Sequence, residues 1–247
     1  MRDFVQAKDF FADLKSTERV YLLIRHAERP HITAEDADYG AHVGLTAAGR
    51  EHAVALGKMF PPEGDAVYYS SPVGRCMDTA KCIAEGRALA GHGAGASQSA
   101  SLTASQPATE GVDPQGTGCA PGAVVTPLAI LGHFYVKDYP TYLDVLNEMF
   151  YQNICAWIDS DNHPAFYPLH ERAEEVRKFM LEKGTARFNI FATHDAWVVP
   201  TLVHFCKMKF TPQHWMNYLT GIAFAVNSDG FERVVPLTAM ETGWLDF

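Results

Sequence analysis

Three short apolar runs in this chain each end in side chains that can handle an anion. Val20 to Ile24 runs into Arg25 and His26. Ala66 to Ser70 runs into Ser71-Pro72-Val73-Gly74-Arg75, and Phe188 to Ala192 runs into Thr193-His194-Asp195. A guanidinium presents a rigid fork of donors that matches phosphate oxygens. An imidazole titrates near neutrality and can attack an electrophile or carry a proton. A carboxylic acid can protonate a departing alkoxide and, as carboxylate, activate a water. Together these groups are an inventory for phosphoryl transfer through a covalent histidine, a reaction that gains most from positioning and electrostatic stabilisation. One imidazole must be neutral to attack phosphorus, and neighbouring guanidinium groups disfavour its protonated form. That role is assigned to His26. His194 is expected to stay protonated against the phosphoryl oxygens, and Asp195 is expected to be the proton donor.

The elements that must position these residues follow from the apolar pattern. Each run is short and rich in β-branched and aromatic residues, as core strands are, and open α/β sheets bind ligands at the carboxyl ends of such strands. Helices are expected over Thr46 to Phe60, from Ser71-Pro72 through Ile83, over Tyr142 to Ile158, over Leu169 to Lys183 with Gly184 behind it, and after Asp195 through Phe205. Asp3 to Leu14 reads as a short amphipathic helix. Val124-Val125 reads as a short strand, and Ile222 to Val226 and Arg233 to Val235 as late strands joined through Asn227 to Gly230. Strands alternating with helices predict an α/β fold, a three-layer α/β/α arrangement around a largely parallel central sheet. The stretch from Gly86 to Gly122 is rich in Gly, Ala, Ser, Thr, Gln and Pro. The chain is therefore expected to be one domain over 1–247 with an inserted cap or lid region at about 86–160.

Composition narrows the partners. The 247 residues carry a formal net charge of −9, which disfavours nucleic acid as the main partner because a polyphosphate backbone needs a broad basic surface. A local arginine pocket can still hold a small phosphorylated substrate. No apolar run approaches the roughly 20 residues of a membrane span, and no secretory signal opens the chain, so a cytoplasmic protein is expected. The five cysteines form no CxxC pair, and reduced thiols are the simpler expectation. The remaining histidines show no metal-ligand spacing, so neither a metal nor a cofactor is expected. Oligomeric state leaves no signal.

Four segments in order, Leu23-Ile24-Arg25-His26-Ala27-Glu28, Gly44 to Gly49, Tyr69 to Ala80 and Ala192-Thr193-His194-Asp195, together resemble the histidine phosphatase superfamily, which includes phosphoglycerate mutases and acid phosphatases. The resemblance implies that His26 is the phosphorylated nucleophile, that Arg25 and Arg75 bind phosphate, and that His194 completes the pocket. It also puts Arg29 where the acid-phosphatase branch has a further phosphate-binding arginine. That branch takes its acid from an aspartate after the second histidine, which Asp195 matches. The mutase-like branch uses a glutamate after the second arginine, for which Glu110 is the alternative acid. Where the family usually has glycine after the nucleophile, this chain has Ala27. The implied activity is a metal-independent phosphomonoester hydrolase. A mutase-like phosphotransferase and a non-catalytic phospholigand-binding module are the alternatives.

Overall fold

The computed structural model describes residues 3–32, 36–93 and 123–247. Its elements in chain order are β1 (Val5–Gln6), α1 (Ala7–Ala12), β2 (Arg19–Arg25), α2 (Ala47–Lys58), β3 (Ala66–Ser70), α3 (Gly74–Gly93), β4 (Val125–Pro127), α4 (Tyr139–Asn147), α5 (Phe150–Ser160), α6 (Leu169–Lys183), β5 (Phe188–Thr193), α7 (Asp195–Cys206), β6 (His214–Met216), β7 (Thr220–Val226), β8 (Glu232–Thr238) and β9 (Trp244–Asp246).

Among the described residues seven strands form one sheet in the order β1-β8-β7-β2-β5-β3-β4, and β6 pairs with β9 in a separate two-stranded sheet. Only β7 runs against its neighbours, antiparallel to both β2 and β8. The central strands β2, β5 and β3 pair in parallel. They are buried on both faces, which explains why they read as unbroken apolar runs rather than alternating ones.

Alternation along each strand splits the core in two. Val20, Leu22 and Ile24 point into a cluster with Phe10, Phe11, Leu56 and Ile83, from α1, α2 and α3. Tyr21, Leu23 and Phe191 point the other way, into a cluster with Trp157, Val176, Trp197 and Leu202, from α5, α6 and α7. This is the expected three-layer α/β/α arrangement. On the first face α2 and α3 approach closely, because a Cβ on Gly57 would meet the Ile83 carbonyl oxygen and one on Gly86 the Val54 carbonyl oxygen.

Three local expectations are corrected. The apolar stretch Tyr142 to Ile158 is two helices, broken where Met149 takes a left-handed backbone with φ 46°. The N-terminal helix begins only at Ala7, because Val5 and Gln6 are drawn into the sheet as an edge strand beside β8. Cys76, Cys155 and Cys206 are free thiols, whereas Cys82 is disulfide-bonded rather than reduced. Within the span 86–160, α3 continues to Gly93 and β4 joins the central sheet beside β3. Among the described residues no helix is long and apolar enough to cross a membrane.

Candidate functional site

Strand register assembles the site. Arg25 lies opposite Thr193 in the β2–β5 ladder, and Ser70 lies opposite Ala192 in the β3–β5 ladder. The next residue of each strand stays in line: the His26 amide donates to the Thr193 carbonyl and the Ser71 amide to the Ala192 carbonyl, both at 2.9 Å. His26, Ser71 and His194 therefore leave the sheet side by side at its carboxyl edge. The His26 and His194 rings lie 5.5 Å apart, centroid to centroid.

Arg75, in the first turn of α3, reaches both rings. Its Nε donates to His26 Nε2 at 3.2 Å, its Nη2 contacts His194 Nδ1 at 3.5 Å, and its Nη1 donates to the Gly40 carbonyl at 2.8 Å. The backbone around His26 is fixed through Thr79, which accepts from the Ala27 amide at 2.9 Å and donates to the Arg75 carbonyl at 2.7 Å. The extra methyl of Ala27 is fully buried and belongs to the apolar cluster on the α1, α2 and α3 side of the sheet.

His26 has a defined tautomer. Its Nδ1 sits 2.8 Å from the Ala27 carbonyl, so Nδ1 carries the proton and donates. Nε2 is left with its lone pair toward Arg75. Burial, then His194, Arg25 and Arg75, hold the pKa of His26 well below 6.5, so this ring is neutral. His194 is held toward its neutral form as well when no phosphate faces it. Burial and the Arg75 guanidinium push its pKa down more strongly than Asp195 pulls it up. With Arg75 donating to Nδ1, the remaining N–H of His194 is on Nε2, 3.3 Å from Ser71 Oγ. Cys76 lies 3.6 Å from that same nitrogen, but burial raises its thiol to about 12 and keeps it un-ionised.

Asp195 opens α7 with its Oδ1 accepting from the Ala196 amide at 2.9 Å. Its Oδ2 takes two donors, Arg25 Nη2 at 3.1 Å and the Trp215 indole at 3.0 Å. Burial raises this carboxyl, but Arg25, the Trp215 N–H and His194 outweigh it, and the pKa falls below its ordinary value of 3.8. Arg25 is 3 % exposed, and its Nη1 donates to the Met216 carbonyl at 2.5 Å. Its guanidinium lies 4.2 Å over the Tyr218 ring, and its Nε has no partner among the described residues.

Arg25, His26, Arg75, His194 and Asp195 thus converge on one sheet edge. Arg29 is half-buried and donates to the Pro30 carbonyl at 2.8 Å. Among the described residues no hydrogen bond joins it to His26 or His194, although its charge is felt at Arg75 and His194. Glu110 lies outside the described residues. The contacts from Gly40, Trp215, Met216 and Tyr218 have no sequence signal, since a three-residue strand and a loop carbonyl leave no periodic trace. His133 is exposed, and Tyr135 is a core residue bonded to Thr201 at 2.9 Å. Among the described residues no group of three or more His, Cys, Asp or Glu could hold a metal ion.

Residues 21–92 match the family model of the histidine phosphatase superfamily, branch 1. The matched span carries Arg25, His26, Arg29 and Arg75, and ends well before His194 and Asp195. No protein of curated function matches the sequence. Solved structures similar to the chain include a phosphoserine phosphatase from Entamoeba histolytica in complex with 3-phosphoglyceric acid, at 14 % identity and TM-score 0.49. That likeness covers 90 % of this chain and 98 % of the other. A mycobacterial glucosyl-3-phosphoglycerate phosphatase is similar at 13 % identity and TM-score 0.47, over 90 % of this chain and 100 % of its own length. A Bacillus stearothermophilus protein, YhfR, is similar at 15 % identity and TM-score 0.49, over 88 % of this chain and 96 % of its own.

Proposed function

We propose that this chain is a phosphomonoester hydrolase that works through a phosphohistidine on His26 and takes a small phosphorylated substrate. The observation that carries the reading is the fixed tautomer of His26. A neutral ring with Nδ1–H donating to the Ala27 carbonyl keeps the Nε2 lone pair on the Arg75 guanidinium, with the charges of Arg25 and Arg29 close enough to act on Arg75. A substrate phosphoryl group there meets Arg25 and Arg75 on its oxygens, with the charge of Arg29 behind them. The superfamily match over 21–92 supports the same chemistry.

The steps balance as follows. His26 Nε2 forms a bond to phosphorus, and the bond from phosphorus to the ester oxygen breaks with its electron pair on the leaving oxygen. Asp195, protonated, gives its proton to that oxygen. A water then attacks the phosphohistidine, its proton returns to the Asp195 carboxylate, and the N–P electron pair returns to Nε2. Asp195 is anionic when only Arg25 and Trp215 face it. A phosphate dianion competes for Arg25 and adds negative charge beside the carboxyl, both of which raise its pKa and let it hold a proton in the complex. The same dianion stabilises a proton on His194. Glu110 is the rival acid.

The test uses p-nitrophenyl phosphate carrying radioactive phosphorus, quenched in alkaline detergent, with half of each sample then acidified to score the acid-labile label. The wild-type protein releases nitrophenol and traps an acid-labile phosphoryl label, whereas His26→Ala loses the label and on the order of 10⁴-fold or more of the turnover. Equal release from both proteins would sink the assignment.

A further inference from the structure

The stretch from Trp215 to Tyr218 makes three separate contacts with the site. Trp215 donates its indole N–H to Asp195 Oδ2 at 3.0 Å, the Met216 carbonyl accepts from Arg25 Nη1 at 2.5 Å, and the Tyr218 ring lies 4.2 Å beneath the Arg25 guanidinium. The stretch is itself held firmly. Trp215 and Met216 are fully buried and pair with Leu245 and Trp244 of β9. Asn217 donates its amide to the Gly243 carbonyl at 2.8 Å and its side chain to the Thr242 carbonyl at 3.0 Å. A rigid indole therefore aims its single donor at one oxygen of one carboxylate.

That oxygen is shared. Oδ2 takes the Arg25 and Trp215 donors, whereas among the described residues Oδ1 takes only the Ala196 amide, which leaves it room for a proton. When a phosphate draws on Arg25, the indole is the donor left on Oδ2. It keeps the carboxyl from turning about its Cβ–Cγ bond, and it directs an added proton to Oδ1.

We propose that Trp215 is a positioning residue for phosphoryl transfer, whose N–H locks the Asp195 carboxyl so that Oδ1 carries the proton delivered to the leaving oxygen. The proposal rests on the reading of Asp195 as proton donor. In the step concerned, the Nε2–P bond forms, the P–O bond breaks, and the Oδ1 proton passes to the oxygen that leaves.

The experiment replaces Trp215 with β-(3-benzothienyl)alanine, which fills the same volume with sulfur in place of N–H, and in parallel makes Trp215→Phe, with urea midpoints measured for both. Turnover is followed across pH on phenyl phosphate, whose leaving anion needs a proton, and on p-nitrophenyl phosphate, whose leaving anion is stable without one. The expected result is a loss of about tenfold in plateau kcat on phenyl phosphate with less than about threefold on p-nitrophenyl phosphate. The descending alkaline limb on phenyl phosphate should also move to higher pH, because a donor that favours the carboxylate is gone. Equal losses on both esters with an unmoved limb would reduce Trp215 to a packing residue and overturn the proposal, as would no change on either. Asp195→Asn separates the two levels. If it keeps wild-type kcat on phenyl phosphate, the proton-donor reading itself fails. If it loses activity there while the Trp215 replacements do not split the two esters, only the present inference fails.

Discussion

Two closed rings of contacts hold the site, and they are built differently. In the first, His26 donates to its neighbour Ala27, Ala27 to Thr79, Thr79 to Arg75, and Arg75 back to His26. In the second, Arg25 pairs with Asp195, Asp195 accepts from Trp215, and the adjoining Met216 carbonyl accepts from Arg25. The first ring joins two segments within 26–79, and backbone groups supply three of its partners. Its members stay near one another whenever β2 and α3 are packed. The second ring draws on β2, α7 and β6, and its key donor is an indole delivered by a small separate sheet. The difference is one of robustness: the first ring fixes His26 through short-range geometry, and the second fixes Asp195 through Arg25 and Trp215, which come from separate segments.

The largest expected effect tests the first ring. Arg75→Lys keeps the charge but loses the fork that reaches His26, His194 and Gly40 together, and should lower kcat/KM on p-nitrophenyl phosphate by about 10²–10³. A loss below tenfold would mean that charge alone, rather than the fork, serves the pocket.

A pH dependence of stability sharpens the contrast next. Both His26 and His194 are held neutral with pKa values below 6.5, one inside the first ring and one outside both. Below pH 6.5 the unfolded chain binds protons at these positions that the folded chain does not. Stability therefore rises with pH through that window and is lost as pH falls below 6.5, by about 1.4 kcal/mol per pH unit for each histidine. Asp195, whose folded pKa is lowered, adds stability that is present above the unfolded carboxylate pKa and is lost at still lower pH. Urea midpoints measured between pH 5 and 7.5 should show the slope, and His26→Asn should remove one histidine's share. An unchanged slope in that variant would place His26 outside the buried neutral pair.

The smallest effect concerns the hydroxyl that closes the first ring. Thr79→Val keeps the shape but leaves the buried Ala27 amide without its acceptor, and should cost about 1–3 kcal/mol of stability. Calorimetry should record this as a drop in Tm of a few degrees, about 2–4 °C per kcal/mol for a chain near this size. A neutral outcome would show that the ring is not needed to hold the loop.

Much of this arrangement is legible in the sequence. The strands ending at Arg25, Ser70 and Thr193 announce themselves as apolar runs because both sheet faces are covered, and the polar residues after them mark the edge. The helix from Leu169 to Lys183 falls at its expected bounds because its apolar spacing is clean. Other features were not legible. The break at Met149 is a left-handed residue inside an apolar stretch, which periodicity reads as one helix. The charge of His194 depends on how deeply it is buried and on Arg75 lying against it, and neither is a property of local sequence.

What the sequence determined by itself is the set of groups available at the sheet edge: two imidazoles, guanidinium groups and a carboxyl, each joined to the end of a strand by its immediate neighbours. What only the tertiary structure decided is their state. The tautomer of His26, the neutrality of His194 and the triple hold on Asp195 come from burial and from groups up to 191 residues away, as with Arg25 and the Met216 carbonyl. Protonation and orientation answer to the local field and dielectric, which exist only once distant segments have excluded water from the same place.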